Sequence, residues 1–280
     1  MSAVPSQPAE PFFLESAPGR RFCLFHPPLG VCRGAVLYVH PFAEEMNRSR
    51  RMAALQARAL AACGYGVLQL DLYGCGDSSG DFGDARWTIW KSDLAAGAAW
   101  LQRRLARPLT LWGLRLGALL ALDYARAALE PPHALILWQP VLNGASYLTQ
   151  FLRLRVAGAM FDEGAQTSTS MLRQALQNGA TLEIAGYDLA PELAMAIDTL
   201  PAADSLAPAC RVDWFEALAT PDAALAAGTT RVSAEWQRRG VDLHLHALAC
   251  PSFWITPEIT ESEAWLQATV AVLQERADVD

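Results

Sequence analysis

The chain has 280 residues, of which 52% are hydrophobic and 18% charged, a balance that supports a large core and excludes global disorder. The formal charge of −7 and a pI near 5.3 exclude a broad basic surface for nucleic acid. Mean hydropathy is +0.14, and no uncharged apolar run reaches about 18 residues, so no membrane span is expected.

Residues 1–10 are rich in Pro, Ser and Ala and read as a disordered tail; they show neither the basic start nor the apolar stretch of a signal peptide. Residues 12–16 and 21–26 read as strands joined through Pro18-Gly19. Residues 34–40 form a continuous apolar run, as a strand buried on both faces does. An amphipathic helix over 45–63 follows, stopped by Gly64. The run at 66–72 is a second buried strand, and it enters a long Gly/Ser/Asp loop. A helix over 87–105, a strand over 108–113, a helix over 116–128 and a strand over 133–140 complete the alternation. Strand–helix–strand units at this spacing predict right-handed crossovers and a mostly parallel sheet flanked by helices.

The alternation then breaks. Residues 143–205 show no alternating strand, and helical patterns appear at 146–161, 170–178 and 189–200. They read as a helical cap inserted between core segments 11–142 and 206–280. A strand over 210–218, a helix over 221–239, a strand over 241–248 and a helix over 257–277 finish the chain. The six cysteines form no C-x-x-C pair and read as buried thiols of a reducing cytoplasm. No metal or organic cofactor is implied by any spacing.

The strand at 108–113 runs straight into a helix through Gly113-Leu114-Arg115-Leu116-Gly117. Strand, tight turn and helix with glycines at these places make the frame of a nucleophile elbow, G-x-S-x-G. Its middle residue is Arg115, whose guanidinium stays protonated and has no lone pair to attack with. Gly76-Asp77-Ser78-Ser79-Gly80 matches the motif by letter but lies in a loop with no helix behind it. Ser78 therefore reads as a loop serine bonded to nearby backbone. Gly74-Cys75-Gly76 lacks the third glycine and the helix of a dinucleotide site.

The order of elements and the elbow resemble the α/β-hydrolase superfamily over residues 10–278. Within it, the chain is most similar to the family of exosortase A system-associated hydrolases, type 2. The likeness is carried by Tyr38-Val-His-Pro-Phe-Ala-Glu-Glu-Met-Asn-Arg48, Asp71-Leu-Tyr-Gly-Cys-Gly-Asp-Ser-Ser-Gly-Asp81 and Leu111-Trp-Gly-Leu-Arg-Leu-Gly117, and less tightly by Phe253-Trp-Ile-Thr-Pro-Glu-Ile259. It implies an α/β-hydrolase fold and a hydrolase of ester, thioester or acyl-carbohydrate bonds. It further implies a bacterium with the exosortase/PEP-CTERM sorting system and nearby exopolysaccharide genes. The resemblance carries the oxyanion-hole N–H groups onto Phe42 and Leu116 and the acid onto the segment holding Glu216 and Asp222. The histidine belongs to the loop Ala249-Cys-Pro-Ser-Phe-Trp254, which has none. With serine and histidine both absent from their places, the Ser-His-Asp triad is incomplete.

Two kinds of role for the crevice stay open, beside a structural or oligomeric scaffold that makes no special demand on Arg115. In the first, a displaced nucleophile or an activated water acts with His40, Glu44 or Asp222 in support. In the second, the crevice is catalytically degenerate and holds a small acyl or anionic ligand, or a protein partner of the exosortase system. Arg115 needs a partner in either case. Glu44 or Glu45 facing it across the crevice is slightly favoured over an anionic ligand. His244 and His246 share one strand face and read as ordinary strand histidines, and His26 and His133 have no partner pattern. Cys75, Cys250 and Ser252 show no adjacent base. Trp138, Phe253 and Trp254 read as packing residues.

Overall fold

A computed structural model describes residues 7–159 and 167–277. Eight strands form one sheet: β1 (Glu10–Glu15), β2 (Arg20–His26), β3 (Gly34–Val39), β4 (Tyr65–Leu70), β5 (Leu109–Leu114), β6 (Ala134–Trp138), β9 (Arg211–Leu218) and β10 (Leu243–Ala249). Their order is β1-β2-β4-β3-β5-β6-β9-β10. The pairs β1/β2 and β2/β4 are antiparallel, and all the others are parallel.

The sheet faces follow from the two-residue period of a strand. Val36, Tyr38, Val67, Trp112, Ile136, Trp138 and Phe215 pack on one face with residues of α1 (Glu44–Ala62) and α8 (Glu263–Ala277). Leu37, Leu68, Leu111, Leu135 and Trp214 pack on the other with α2 (Trp87–Leu105), α3 (Leu116–Ala127) and α7 (Ala227–Arg238). All residues of β3 and β6 are buried, which is why those strands are apolar throughout. The chain leaves β3 for β4 on one side and later returns to β5 on the other. The strand order therefore reverses between β3 and β5, and a crevice opens beyond their carboxyl ends.

The cap segment holds α4 (Gly144–Ala159), α5 (Thr169–Gln177) and α6 (Pro191–Thr199). It also holds a hairpin, β7 (Leu182–Ile184) with β8 (Tyr187–Leu189), where no strand is predicted. Three-residue strands are too short to display alternation. The turn residues Ala185 and Gly186 both have positive φ, 51° and 83°, as a tight two-residue hairpin turn requires. The structure also departs from the predicted tail, because Glu10 already belongs to β1. Residues 1–6, residues 160–166 with the predicted end of the first cap helix, and residues 278–280 lie outside the described residues. Helix α7 begins at Ala227 rather than 221, and α8 at Glu263 rather than 257. Among the described residues no helix is long and apolar enough to cross a membrane.

Candidate functional site

The elbow is built by backbone crowding. Arg115 alone separates β5 from α3, with φ 56° and ψ −119°. A Cβ on Gly117 would stand 2.4 Å from the carbonyl oxygens of both Val39 and His40, and one on Gly113 would stand 2.7 Å from the Ala118 nitrogen. Only glycine lets β3, β5 and α3 approach this closely. The turn is held by Arg115 N–H donating to Trp138 O at 3.0 Å, while Arg115 O accepts from Ala118 and Val141, each at 3.1 Å. Ala43, which opens α1, has a similar backbone with φ 50° and ψ −128°. A non-glycine residue in this region costs about 1–3 kcal/mol, and both such residues line one cavity of about 420 Å³.

Arg115 and Glu45 form the floor of that cavity. Arg115 Nε donates to Glu45 Oε1 at 3.2 Å, with the side chains 17% and 14% exposed. Tyr147 of α4 donates its hydroxyl to Glu45 Oε2 at 3.0 Å. Arg115 Nη1 makes a long contact of 3.5 Å to Gln139 O, and the guanidinium carbon lies 5.6 Å from the Trp254 ring and 5.9 Å from that of Tyr147. Burial pushes the Glu45 carboxyl above its ordinary 4.5, against the opposing pull of Arg115 and Tyr147. Burial and the adjacent Glu45 charge together hold the Tyr147 phenol well above 10.0. Glu44 lines the cavity with its side chain half exposed, accepting from Asn47 and Tyr187, each at 3.2 Å. Arg48 donates to Ile255 O at 2.7 Å.

Phe42 lines the cavity and packs its ring edge-to-face on Phe82, Tyr147 and Phe151. Leu116 opens α3, so its N–H belongs to the first turn, which has no intrahelical acceptor. The other candidates lie elsewhere. His40 is buried; its Nδ1 bonds Pro41 O at 2.7 Å and its Nε2 accepts from Leu72 N–H at 3.1 Å. Burial lowers its pKa below 6.5, and a neutral ring clamped at both nitrogens holds the loop rather than moving protons. Asp222 is exposed in the loop after β9 and does not line the cavity. Glu216 is buried and accepts from Gln139 Nε2, Thr229 Oγ1 and Trp214 Nε1, each at 3.0 Å.

Ser78 accepts from Phe22 N–H and donates to Asp71 O, as a loop-tying serine does. On β10, His244 bonds Asp242 just before the strand and His246 bonds Asp213 of β9. Trp138 and Phe253 are wholly buried. Trp254 combines packing with contact to Arg115. Tyr147, Phe151 and Leu154 are among the cavity residues that sequence reasoning missed. Their spacing of i, i+4 and i+7 on α4 is the available signal, since it sets them on one helix face. None of the described residues lining the cavity is a serine, threonine, cysteine or histidine. Among the described residues no group of three or more His, Cys, Asp or Glu side chains could hold a metal ion.

This sheet order, with an elbow after β5 and a cap after β6, is an α/β-hydrolase fold. The family model for serine aminopeptidase S33, Hydrolase_4, matches residues 30–184, and the chain belongs to that family. A lysophosphatidylserine lipase, ABHD12 of Danio rerio, is 32% identical over 112 residues, which are 39% of this chain and 28% of that protein. The chain thus spans less than a third of the length of that relative. Est1E from Butyrivibrio proteoclasticus, solved with ferulic acid bound, aligns with a TM-score of 0.64 at 14% identity, covering 94% of this chain and 96% of its own. A soluble variant of the monoglyceride lipase from Saccharomyces cerevisiae, solved with a substrate analogue, aligns at 0.63 and 15% identity, covering 99% and 96%. These structural likenesses concern the fold.

Proposed function

We propose that this α/β-hydrolase family member uses its crevice to bind a small acyl or anionic molecule, and that it does not cleave esters through a serine. The observation that carries the reading is Arg115 at the elbow, ion-paired to Glu45, in a cavity whose described lining offers no serine, threonine, cysteine or histidine. A guanidinium supplies donors only, so it binds and does not attack. A lysophosphatidylserine lipase among the relatives and a monoglyceride lipase among the structural neighbours support an acyl-bearing ligand. The resemblance of residues 38–48, 71–81 and 111–117 to exosortase A system-associated hydrolases supports a place beside PEP-CTERM sorting and exopolysaccharide synthesis in a bacterial cytoplasm. A protein partner from that system fits the same reading.

Hydrolysis by water is the second reading. It draws on the buried Glu45 carboxylate as a base and on the N–H groups of Phe42 and Leu116 as oxyanion donors. The test is turnover of p-nitrophenyl esters from acetate to decanoate by the purified chain. The expected result is a rate indistinguishable from buffer. A turnover of about 1 s⁻¹ or more, the ordinary range of enzymes, that is lost in Glu45→Gln would overturn the binding reading in favour of the second.

A further inference from the structure

We infer that the crevice takes a single-chain amphiphile, its carboxylate docked on Arg115 and its chain leaving across Leu154 and Ile255. This rests on the binding reading above and names the ligand class. The head group follows from the donors left over. A guanidinium has five N–H donors in a fixed fork. Glu45 takes the Nε side at 3.2 Å, Gln139 O lies a long 3.5 Å from Nη1, and Nη2 has no acceptor among the described residues. Arg115 lines the cavity and keeps 17% of its side chain exposed, so a ligand reaches it without displacing Glu45. The planar, bidentate partner of such an edge is a carboxylate.

Charge sets the ligand at one negative unit. The lining residues Arg48 and Arg115 balance Glu44 and Glu45. Helices α1 and α3 both begin at the cavity, at Ala43 and Arg115, and neither end is capped by a side chain. Each helix N-terminus contributes about +0.5 elementary charge, so the two together complement a monoanion. A phosphate monoester, with nearly two negative charges near neutrality, leaves an excess in a low-dielectric site.

The chain path follows from the walls. Phe42, Tyr147, Phe151 and Trp254 are all less than 10% exposed, whereas Leu154 and Ile255 at the rim are 52% and 56% exposed. Tyr147, beside the head-group anchor, and Leu154, at the rim, lie seven residues apart on α4, or about 10 Å along its axis. That stripe runs from a polar floor to an apolar edge.

The test is isothermal titration calorimetry of the full chain with butanoate, octanoate, decanoate, decanol and decyl phosphate. Affinity is expected to rise from butanoate to decanoate by up to about fourfold per buried methylene. Decanol and decyl phosphate are each expected to bind at least about tenfold more weakly than decanoate. Arg115→Lys keeps the charge beside Glu45 and loses the fork; it is expected to weaken decanoate by about tenfold and leave decanol unchanged. Leu154→Asp, at an exposed position, is expected to weaken decanoate and leave butanoate unchanged, with no change in thermal unfolding.

Equal affinity for decanol and decanoate, tighter binding of decyl phosphate, no gain with chain length, no heat with any ligand, or unchanged decanoate binding in Arg115→Lys would each overturn the inference. Ester turnover would overturn the underlying binding reading instead, so the two failures are separate results.

Discussion

Arg115 sits where a nucleophile would stand, and its pairing with Glu45 decides what the site can do. The two side chains are 17% and 14% exposed, so the pair is mostly withdrawn from water, where losing one partner costs more than replacing both. Arg115→Met is expected to destabilise the fold by roughly 3 kcal/mol, because it leaves the Glu45 carboxylate with the Tyr147 hydroxyl alone. The double variant Arg115→Met/Glu45→Leu is expected to recover most of that loss, read from urea unfolding as a double-mutant cycle. Glu45 also carries a pH signature. Its folded-state pKa lies above 4.5, so between the two values the folded chain holds more protons than the unfolded one. The stability this contributes is present below 4.5 and lost as pH rises through the folded value. In Glu45→Gln that component is gone, so the stability of the natural chain relative to the variant is expected to fall as pH rises from below 4.5 to neutrality. A parallel pair of pH curves would contradict the assignment. The elbow position of Arg115 was legible from the glycines at 113 and 117, and a facing Glu44 or Glu45 from the need to compensate a buried cation. Tyr147 was not, because a phenol on a cap helix carries no local sign of which core residue it will meet.

The elements around the site differ in how tightly they are held. Helix α3 touches β3 through Gly117, where a Cβ would meet two carbonyl oxygens at 2.4 Å. Backbone cannot retreat as a side chain can, so Gly117→Ala is expected to cost about 3 kcal/mol or more. At Gly158 of α4 an added Cβ would meet none of the described residues within 4 Å; Gly158→Ala is expected to stabilise by roughly 0.5–1 kcal/mol through helix propensity. Thermal or urea unfolding of both variants checks the contrast, and equal effects would contradict it. Strands β3 and β6 were legible as apolar runs because all their residues are buried, on both faces. The cap hairpin was not, since Ala185-Gly186 is a weak turn signal beside Asn-Gly or Asp-Gly. The early predicted start of α8 followed Pro257, whereas the true start is set by Ser262, whose hydroxyl accepts the Trp265 N–H at 3.4 Å.

At the scale of the whole molecule, topology gathers the site from distant parts of the chain. The reversal of strand order between β3 and β5 places the turns holding Ala43 and Arg115 side by side, and α4 and the segment after β10 close over them with Tyr147 and Trp254. The α/β-hydrolase architecture survives intact, while the cavity it frames presents a paired guanidinium in place of a nucleophile. Fold and chemistry separate here, as they do wherever a common scaffold hosts different sites. The order of strands and helices was enough to expect the scaffold. The cap residues that shape the cavity were not readable, because their role depends on packing across more than a hundred residues of sequence.

The most direct measurement is labelling of the folded chain with a fluorophosphonate probe, the adduct located by peptide mass spectrometry, beside an active serine esterase as control. The expected result is complete labelling of the control and none of this chain. A stoichiometric adduct on a serine such as Ser78 or Ser252 would contradict the account and identify the nucleophile it denies.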